Sequence, residues 1–135
     1  MENRFKFRFF DKVSKEMCYP TEYNGKAEYL ERRYDLADMF RFKDLIPMQC
    51  VGLKDKSGNL IYEYDVVRFG QEDEDIGIVM WNEDECKFVI NEEFNKILSD
   101  FSNWYGEDLE ILGNIFEHDF FGKDTIAWLK ASNIL

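Results

Sequence analysis

Histidine is nearly absent from this chain of 135 residues, where His118 stands alone between Glu117 and Asp119. A zinc centre needs several imidazole or thiolate ligands at close spacing. The three cysteines, Cys18, Cys50 and Cys86, lie far apart with no C-x-x-C among them. Their odd number and wide separation exclude a disulfide framework, and they read as buried or half-buried free thiols in a reducing compartment. No apolar run approaches the ~20 residues that cross a bilayer, so no membrane partner is expected. The opening residues MENRFKFRFF alternate charge with Phe and lack the continuous apolar core of a signal peptide. No glycine-rich loop precedes a helical pattern, which excludes a P-loop or a dinucleotide fingerprint.

Basic residues are scarce in the second half. Residues 69–135 carry 4 Lys plus Arg against 16 Asp plus Glu, a net of −12, whereas residues 1–68 are near neutral at +1. The total of −11 repels polyphosphate, so nucleic acid is disfavoured as a partner and solubility is the plainest role for the excess acid. What the chain does have is apolar material. Hydrophobic residues make up 45% and aromatics 17%, enough for the core of one domain, and the aromatics are mostly Phe and Tyr, which suit half-buried strands.

The patterning predicts short strands. In RFKFRFF, Phe5, Phe7 and Phe9 share one face of a period-two pattern, with Lys6 and Arg8 on the other. Asp11, Lys12 and Ser14 supply a turn, and Met17–Tyr19 returns as a second strand. Residues 27–42, with Leu30, Tyr34 and Ala37 at helical spacing, read as a helix that ends before Pro47. MQCVGL is a strand, and KDKSGN a loop whose Gly58 and Asn59 tolerate positive φ. LIYEYDVVRF is its returning partner. IGIVMWN and KFVI form a second hairpin across Glu83–Asp84–Glu85. Residues 91–105 are ambiguous, with Phe94, Ile97, Leu98 and Phe101 helix-spaced. LEIL is a last strand, halted by Gly113 and Asn114, and a helix follows at about 124–132. The expected fold is mainly β with attached helical segments (α+β). Its barrel-like part spans about 46–117, with the 1–19 hairpin packed on it.

Two acids in this pattern invite a chemical reading. Glu63 and Asp65, two residues apart, would lie ~7 Å apart on one face of a regular strand, near enough to act as acid and base. Yet the apolar pairs Leu60–Ile61 and Val66–Val67 flank them and break the alternation, so the strand bends across Glu63–Tyr64–Asp65. In that reading Asp65 accepts turn N–H groups and Glu63 faces water or Arg68. The three residues form a structural corner, and no catalytic residue is assigned. Glu72, Asp73, Glu74 and Asp75 form an acidic run that could meet the Glu83–Glu85 turn at one hairpin end and hold a cation, though the calcium-loop spacing is missing. Trp81, Trp104 and Tyr105 are candidate partner-binding aromatics.

Three segments carry a family resemblance. FKFRFFDKVSKEM, residues 5–17, has an opening strand and an Asp-Lys turn followed by Lys and Met. MQCVGLKDKSGNLIYEYDVVR, residues 48–68, contains Met-Gln, Gly-Leu-x-Asp-Lys-x-Gly, Ile-Tyr-Glu and Asp-Val-Val in order. DLEILGNIFEH, residues 108–118, ends in Glu-x-x-Gly-Asn-Ile-x-Glu. In these the chain resembles the YopX family, small proteins of phages and of prophages in Gram-positive bacteria. The resemblance implies a central part similar to an SH3-type barrel, and no enzymatic activity, cofactor, metal or catalytic residue. It departs from the family at Tyr64, where a Gly usually separates the Glu from the Asp. A bulky residue there must reach whatever conformation the corner imposes.

The function expected from these readings is a non-enzymatic interaction module in the bacterial host cytoplasm. Its partner would be an unidentified host or phage protein, and self-association into a homo-oligomer is compatible with open strand edges. One alternative is an acidic decoy that occupies a basic host protein. Another is a metal-dependent hydrolase or nuclease built on the clustered carboxylates. A last one is nucleic-acid binding through Arg4, Lys6 and Arg8.

Overall fold

The computed structural model describes residues 6–20, 22–23, 26–29, 32–69, 75–92, 97–100 and 109–118, together with 127 and 130–131. The chain is mainly β. Among the described residues, twelve strands form three antiparallel groups, and a short helical turn, α1 (Leu36–Met39), follows the fifth strand.

The first sheet has the order β2-β1-β6-β7, from β1 (Phe7–Asp11), β2 (Glu16–Cys18), β6 (Leu45–Lys54) and β7 (Leu60–Tyr62). Asp11 makes the turn between β1 and β2, its Oδ1 accepting the N–H groups of Val13 at 2.8 Å and Ser14 at 3.3 Å. The N-terminal hairpin therefore joins the sheet, β1 pairing with residues 45–49 of β6. Pro47 lies within β6 and does not end a helix. Its partner Phe9 sits on the β1 side, and β7 pairs further along, at Cys50 and Lys54, so the missing N–H removes no ladder bond. Between those two positions the register slips, and Gly52 takes a φ of 91° to absorb the extra residues.

The second sheet has the order β11-β10-β9-β8-β12, from β8 (Asp65–Phe69), β9 (Asp75–Asn82), β10 (Lys87–Glu92), β11 (Ile97–Asp100) and β12 (Glu110–Asn114). The segment 60–69 is thus two strands. β7 completes the first sheet and β8 enters the second, where it lies between β9 and β12. Both faces of β8 are covered. Val67 and Phe69 pack with Val51, Ile61, Val79, Ile90 and Leu109, while Val66 packs with Ile78 and Ile115. Double burial explains the adjacent valines.

The helix expected over residues 27–42 shrinks to a single turn, and the ambiguous segment 91–105 holds a strand. Residues 27–42 hold β4 (Lys26–Tyr29) and β5 (Arg32–Asp35), which with β3 (Glu22–Tyr23) make a third, small sheet, and only α1 is helical. The spacing of Leu30, Tyr34 and Ala37 fits a helix, but the two strands sit at hairpin distance and satisfy each other's backbone. Ile97 and Leu98, also helix-spaced with Phe94, belong to β11, which pairs with β10. Of the segment 124–132, Ala127, Lys130 and Ala131 are described and helical, and the rest lies outside the described residues.

Candidate functional site

The corner between the sheets is held by a buried ion pair. Arg8 of β1 extends its guanidinium across to β8, where Nη2 lies 2.8 Å from Asp65 Oδ1, with side chains 3% and 2% exposed. The same nitrogen donates to the Glu63 carbonyl at 3.0 Å, and the guanidinium carbon stands 4.8 Å from the centre of the Tyr62 ring. Asp65 Oδ2 accepts the Tyr62 N–H at 2.8 Å. Burial pushes the Asp65 carboxyl above its ordinary value, and Arg8 and the Tyr62 N–H oppose that only in part.

Arg8 is a correction to the sequence reading, which put it with Lys6 on an exposed face. Lys6 is exposed, but Arg8 shares its face with buried Phe10. The basic face proposed for nucleic acid therefore loses Arg8, and Arg4 lies outside the described residues.

Glu63 also departs from expectation. It neither faces open water nor meets Arg68, which instead lies 3.6 Å from Glu110. Its Oε1 accepts the Gln49 N–H at 2.7 Å while its own N–H donates to the Gln49 carbonyl at 2.9 Å. The side chain thus extends the β6–β7 ladder by one step after the backbone has turned away. Burial raises its carboxyl above the ordinary value against the Gln49 N–H and Arg8. Tyr64 turns the corner with a φ of 67°, in the left-handed region where glycine is at ease. Its N–H donates to Val79 and its carbonyl accepts from Ile115, and its ring meets Phe116 edge-on at 5.5 Å. That packing fixes a bulky residue in a strained conformation and raises its phenol to about 12 by burial, with the Glu63 charge adding.

The loop between β6 and β7 is tied to the opposite sheet. Asp55 Oδ1 accepts the N–H groups of Ser57 and Asn59, and Oδ2 accepts that of Ile111 on β12 at 3.0 Å. Lys56 N–H adds a bond to the Leu109 carbonyl. Between this loop and the Arg8–Asp65 pair opens a cleft of about 490 Å³, walled by Tyr19, Leu60, Tyr62 and Ile111. The sequence reading passed over Asp55 and this cleft. The signal available was the Asp-Lys-x-Gly turn, whose first residue was read only as loop.

The β9–β10 hairpin presents the other candidate. Trp81, 44% exposed, faces its cross-strand partner Phe88 edge-on at 5.0 Å. Asn82 Oδ1 shapes the turn by accepting from Asp84 and Glu85, and Glu83, Asp84 and Glu85 are all exposed. A cleft of about 220 Å³ runs beside Trp81 between Met80, Glu83, Asp84 and Val89. Asp75 opens β9 at the opposite end, seven residues from Asn82, or roughly 23 Å at ~3.3 Å per residue. Asp75 and the Glu83–Glu85 turn therefore do not meet, contrary to expectation. Glu72, Asp73, Glu74, Trp104 and Tyr105 lie outside the described residues. Among the described residues no three His, Cys, Asp or Glu side chains come together as metal ligands.

His118 Nδ1 accepts the Asn114 N–H, and Asn114 caps the turn after β12. The Gly113 α-carbon lies so close that an added Cβ would stand 2.6 Å from that Nδ1. Cys86 is exposed in the β9–β10 turn, so the thiols are not all shielded, while Cys50 is buried and its thiol raised by that burial.

These motifs decide the family. The model of the YopX protein family matches residues 6–119, from the start of β1 to just past His118. The chain belongs to the YopX family. Arg8, Asp55, Glu63, Asp65 and Asn114 all fall inside the matched residues. The crystal structure of protein EF1440 from Enterococcus faecalis is similar in fold, with a TM-score of 0.50 at 23% identity over 83% of this chain and 93% of that one. Comparison with curated proteins gives no match. Among the described residues no helix is long and apolar enough to cross a membrane.

Proposed function

We propose that this YopX-family chain is a non-enzymatic interaction module of phage or prophage origin, acting in the host cytoplasm, that takes a basic protein partner at the tip of its β9–β10 hairpin. The observation that carries the reading is Trp81, nearly half exposed at the mouth of a cleft beside the exposed acids Glu83, Asp84 and Glu85. An indole face next to carboxylates suits a Lys or Arg side chain, which gains both cation–π and charge contacts. The net charge of −12 on residues 69–135 would steer such a partner inward. Within this reading the two linked sheets act as a small barrel of the SH3 kind, supported by the strand that changes sheets at Glu63–Tyr64. An acidic decoy is the narrower form of the same reading, and pairing of two copies through exposed Trp81 is its self-associating form.

The test is titration of the full chain with an oligo-arginine peptide and a neutral peptide of equal length, at low and high salt. Saturable binding of the basic peptide, weakened by salt and about tenfold by Trp81→Ala, supports the reading. Equal affinity for the neutral peptide, or binding indifferent to both Trp81→Ala and Glu83→Gln/Asp84→Asn/Glu85→Gln, overturns it. Sedimentation of the wild type and Trp81→Ala shows whether the surface is occupied by a second copy.

A further inference from the structure

We propose that the outer face of the first sheet is a two-fold interface on which a second copy of this chain docks. The two faces of that sheet are closed very differently. On the inner one Phe10, Ile46 and Met48 are all buried, and Phe116 stacks on Phe10 at 4.9 Å. The outer one carries the cross-strand row Cys18–Phe9–Pro47, with Phe7 two residues along β1 on the same side. Phe9 packs with Met39 of α1, and both are fully buried.

That single helical turn leaves the rest of the face open. Phe40, the next residue, meets Phe7 edge-on at 4.9 Å and Phe9 at 5.2 Å, yet its ring remains 42% exposed. Phe7 and Cys18 are only half-buried, and Pro47 is exposed. Val13, 74% exposed, stands at the margin in the β1–β2 turn, where the Lys12 N–H bonds the Asp44 carbonyl at 2.8 Å. A lone exposed ring is ordinary, but here neighbouring apolar groups on three strands and α1 share one side.

Charge selects the occupant. Around this face Lys6, Lys12, Lys15, Arg41 and Lys43 stand against Asp11, Glu16, Asp38 and Asp44, a net of +1 on a chain of net −11. The two signs interleave. Arg41 and Asp38 lie on one helical turn, 80% and 47% exposed, and meet only at a long 3.6 Å. Under a two-fold axis the bases of each copy can face the acids of the other, so like chains approach here without the repulsion their other surfaces impose. A wholly acidic or wholly basic partner finds nearly as many charges against it as for it. Aromatic rings and Arg at the centre also match the composition of interface cores. None of these residues belongs to the β9–β10 tip, so this inference stands apart from the reading of that site.

Sedimentation equilibrium of the full chain over a range of concentrations, at low and high salt, tests this. A reversible dimer is expected that high salt leaves as tight or tightens, because salt screens the repulsion between two acidic chains. Phe40→Asp should weaken it about tenfold or more. Phe40 also packs on Phe7, so Pro47→Lys, at an exposed position with no ladder bond to lose, is the second probe and should act in the same direction. Copies carrying Arg41→Asp/Lys43→Asp and copies carrying Asp38→Lys/Asp44→Lys should each stay monomeric and pair when mixed. A chain that is monomeric at millimolar concentration overturns the assignment, as does a dimer that salt dissolves or that neither Phe40→Asp nor Pro47→Lys weakens. Loss of the dimer on Trp81→Ala would move it to the hairpin tip. Capture by phosphatidylserine vesicles that Phe40→Asp abolishes, with no dimer, would give the face to a membrane instead.

Discussion

Arg8 on β1 and Asp65 on β8 stand 2.8 Å apart, one in each of the two larger sheets, both almost wholly shielded from water. The pair links strands 57 positions apart and stacks on Tyr62 at the point where the chain passes from one sheet to the other. Removing one partner leaves a buried charge uncompensated, which typically costs about 3–5 kcal/mol. We expect Asp65→Asn and Arg8→Met each to fall in that range in urea unfolding. Arg8→Met combined with Asp65→Leu should recover most of the loss, short of the Tyr62 N–H that Asp65 also satisfies. Strictly additive losses would show that the pair is not coupled.

Glu63 sets a pH dependence. Its folded carboxyl is raised, chiefly by burial, so the folded state holds its proton at pH values where the unfolded chain has released it. Stability from this group is therefore fully present below the unfolded value and is lost as pH rises through the folded one. Glu63→Gln removes that loss while keeping an acceptor for the Gln49 N–H. The variant should match the wild type near pH 4 and gain relative stability as pH rises, levelling off above the folded value. A difference that is flat, or that shrinks with rising pH, contradicts this.

Tyr64 separates backbone strain from packing. A non-glycine residue in the left-handed region costs ~1–2 kcal/mol, and Tyr64 offsets it by packing its ring against Phe116. Both Tyr64→Ala and Tyr64→Gly lose the ring, but only the glycine variant loses the strain. Both should be less stable than wild type, with Tyr64→Gly above Tyr64→Ala by about 1–2 kcal/mol. Equal stabilities would mean that the corner relaxes once the ring is gone.

Gly113 and His118 form a coupled pair on different grounds. A Cβ at residue 113 would displace the imidazole and break its bond to the Asn114 N–H, a net loss of about 1 kcal/mol. Gly113→Ala should therefore cost clearly less in a His118→Ala background than in the wild type. Thermal unfolding of the four proteins of this cycle measures the coupling.

Local pattern carried some of these relationships and hid others. Leu60–Ile61 and Val66–Val67 break strand alternation, and the turn at Glu63–Tyr64 lies between them. The same argument applied to Phe9–Phe10 would have shown that β1 is covered on both faces, which is why Arg8 is buried despite its place opposite Phe7 and Phe9. Arg8's partner could not be read, because nothing local relates residue 8 to residue 65. Asp55 is similar. Its two turn bonds follow from the loop sequence, but its bond to Ile111 exists only once β12 has joined β8. The strands β4, β5 and β11 were missed because short mixed segments satisfy helical and extended spacing alike, and the choice is made by the neighbouring strand that pairs with them.

The tie between Asp55 and Ile111 has a consequence for synthesis on the ribosome. Fifty-six residues separate the two, so the β6–β7 loop can make its own turn bonds early, but Asp55 Oδ2 lacks the Ile111 N–H until β12 has been translated. The nascent protein has every partner of Arg8 in hand once Asp65 is made, but the tie between the sheets at Asp55 waits until the segment around Leu109 to Ile115 emerges. A pause just before that segment would therefore leave the β12 side of β8, and Asp55 beside it, uncovered and open to chaperones or proteases.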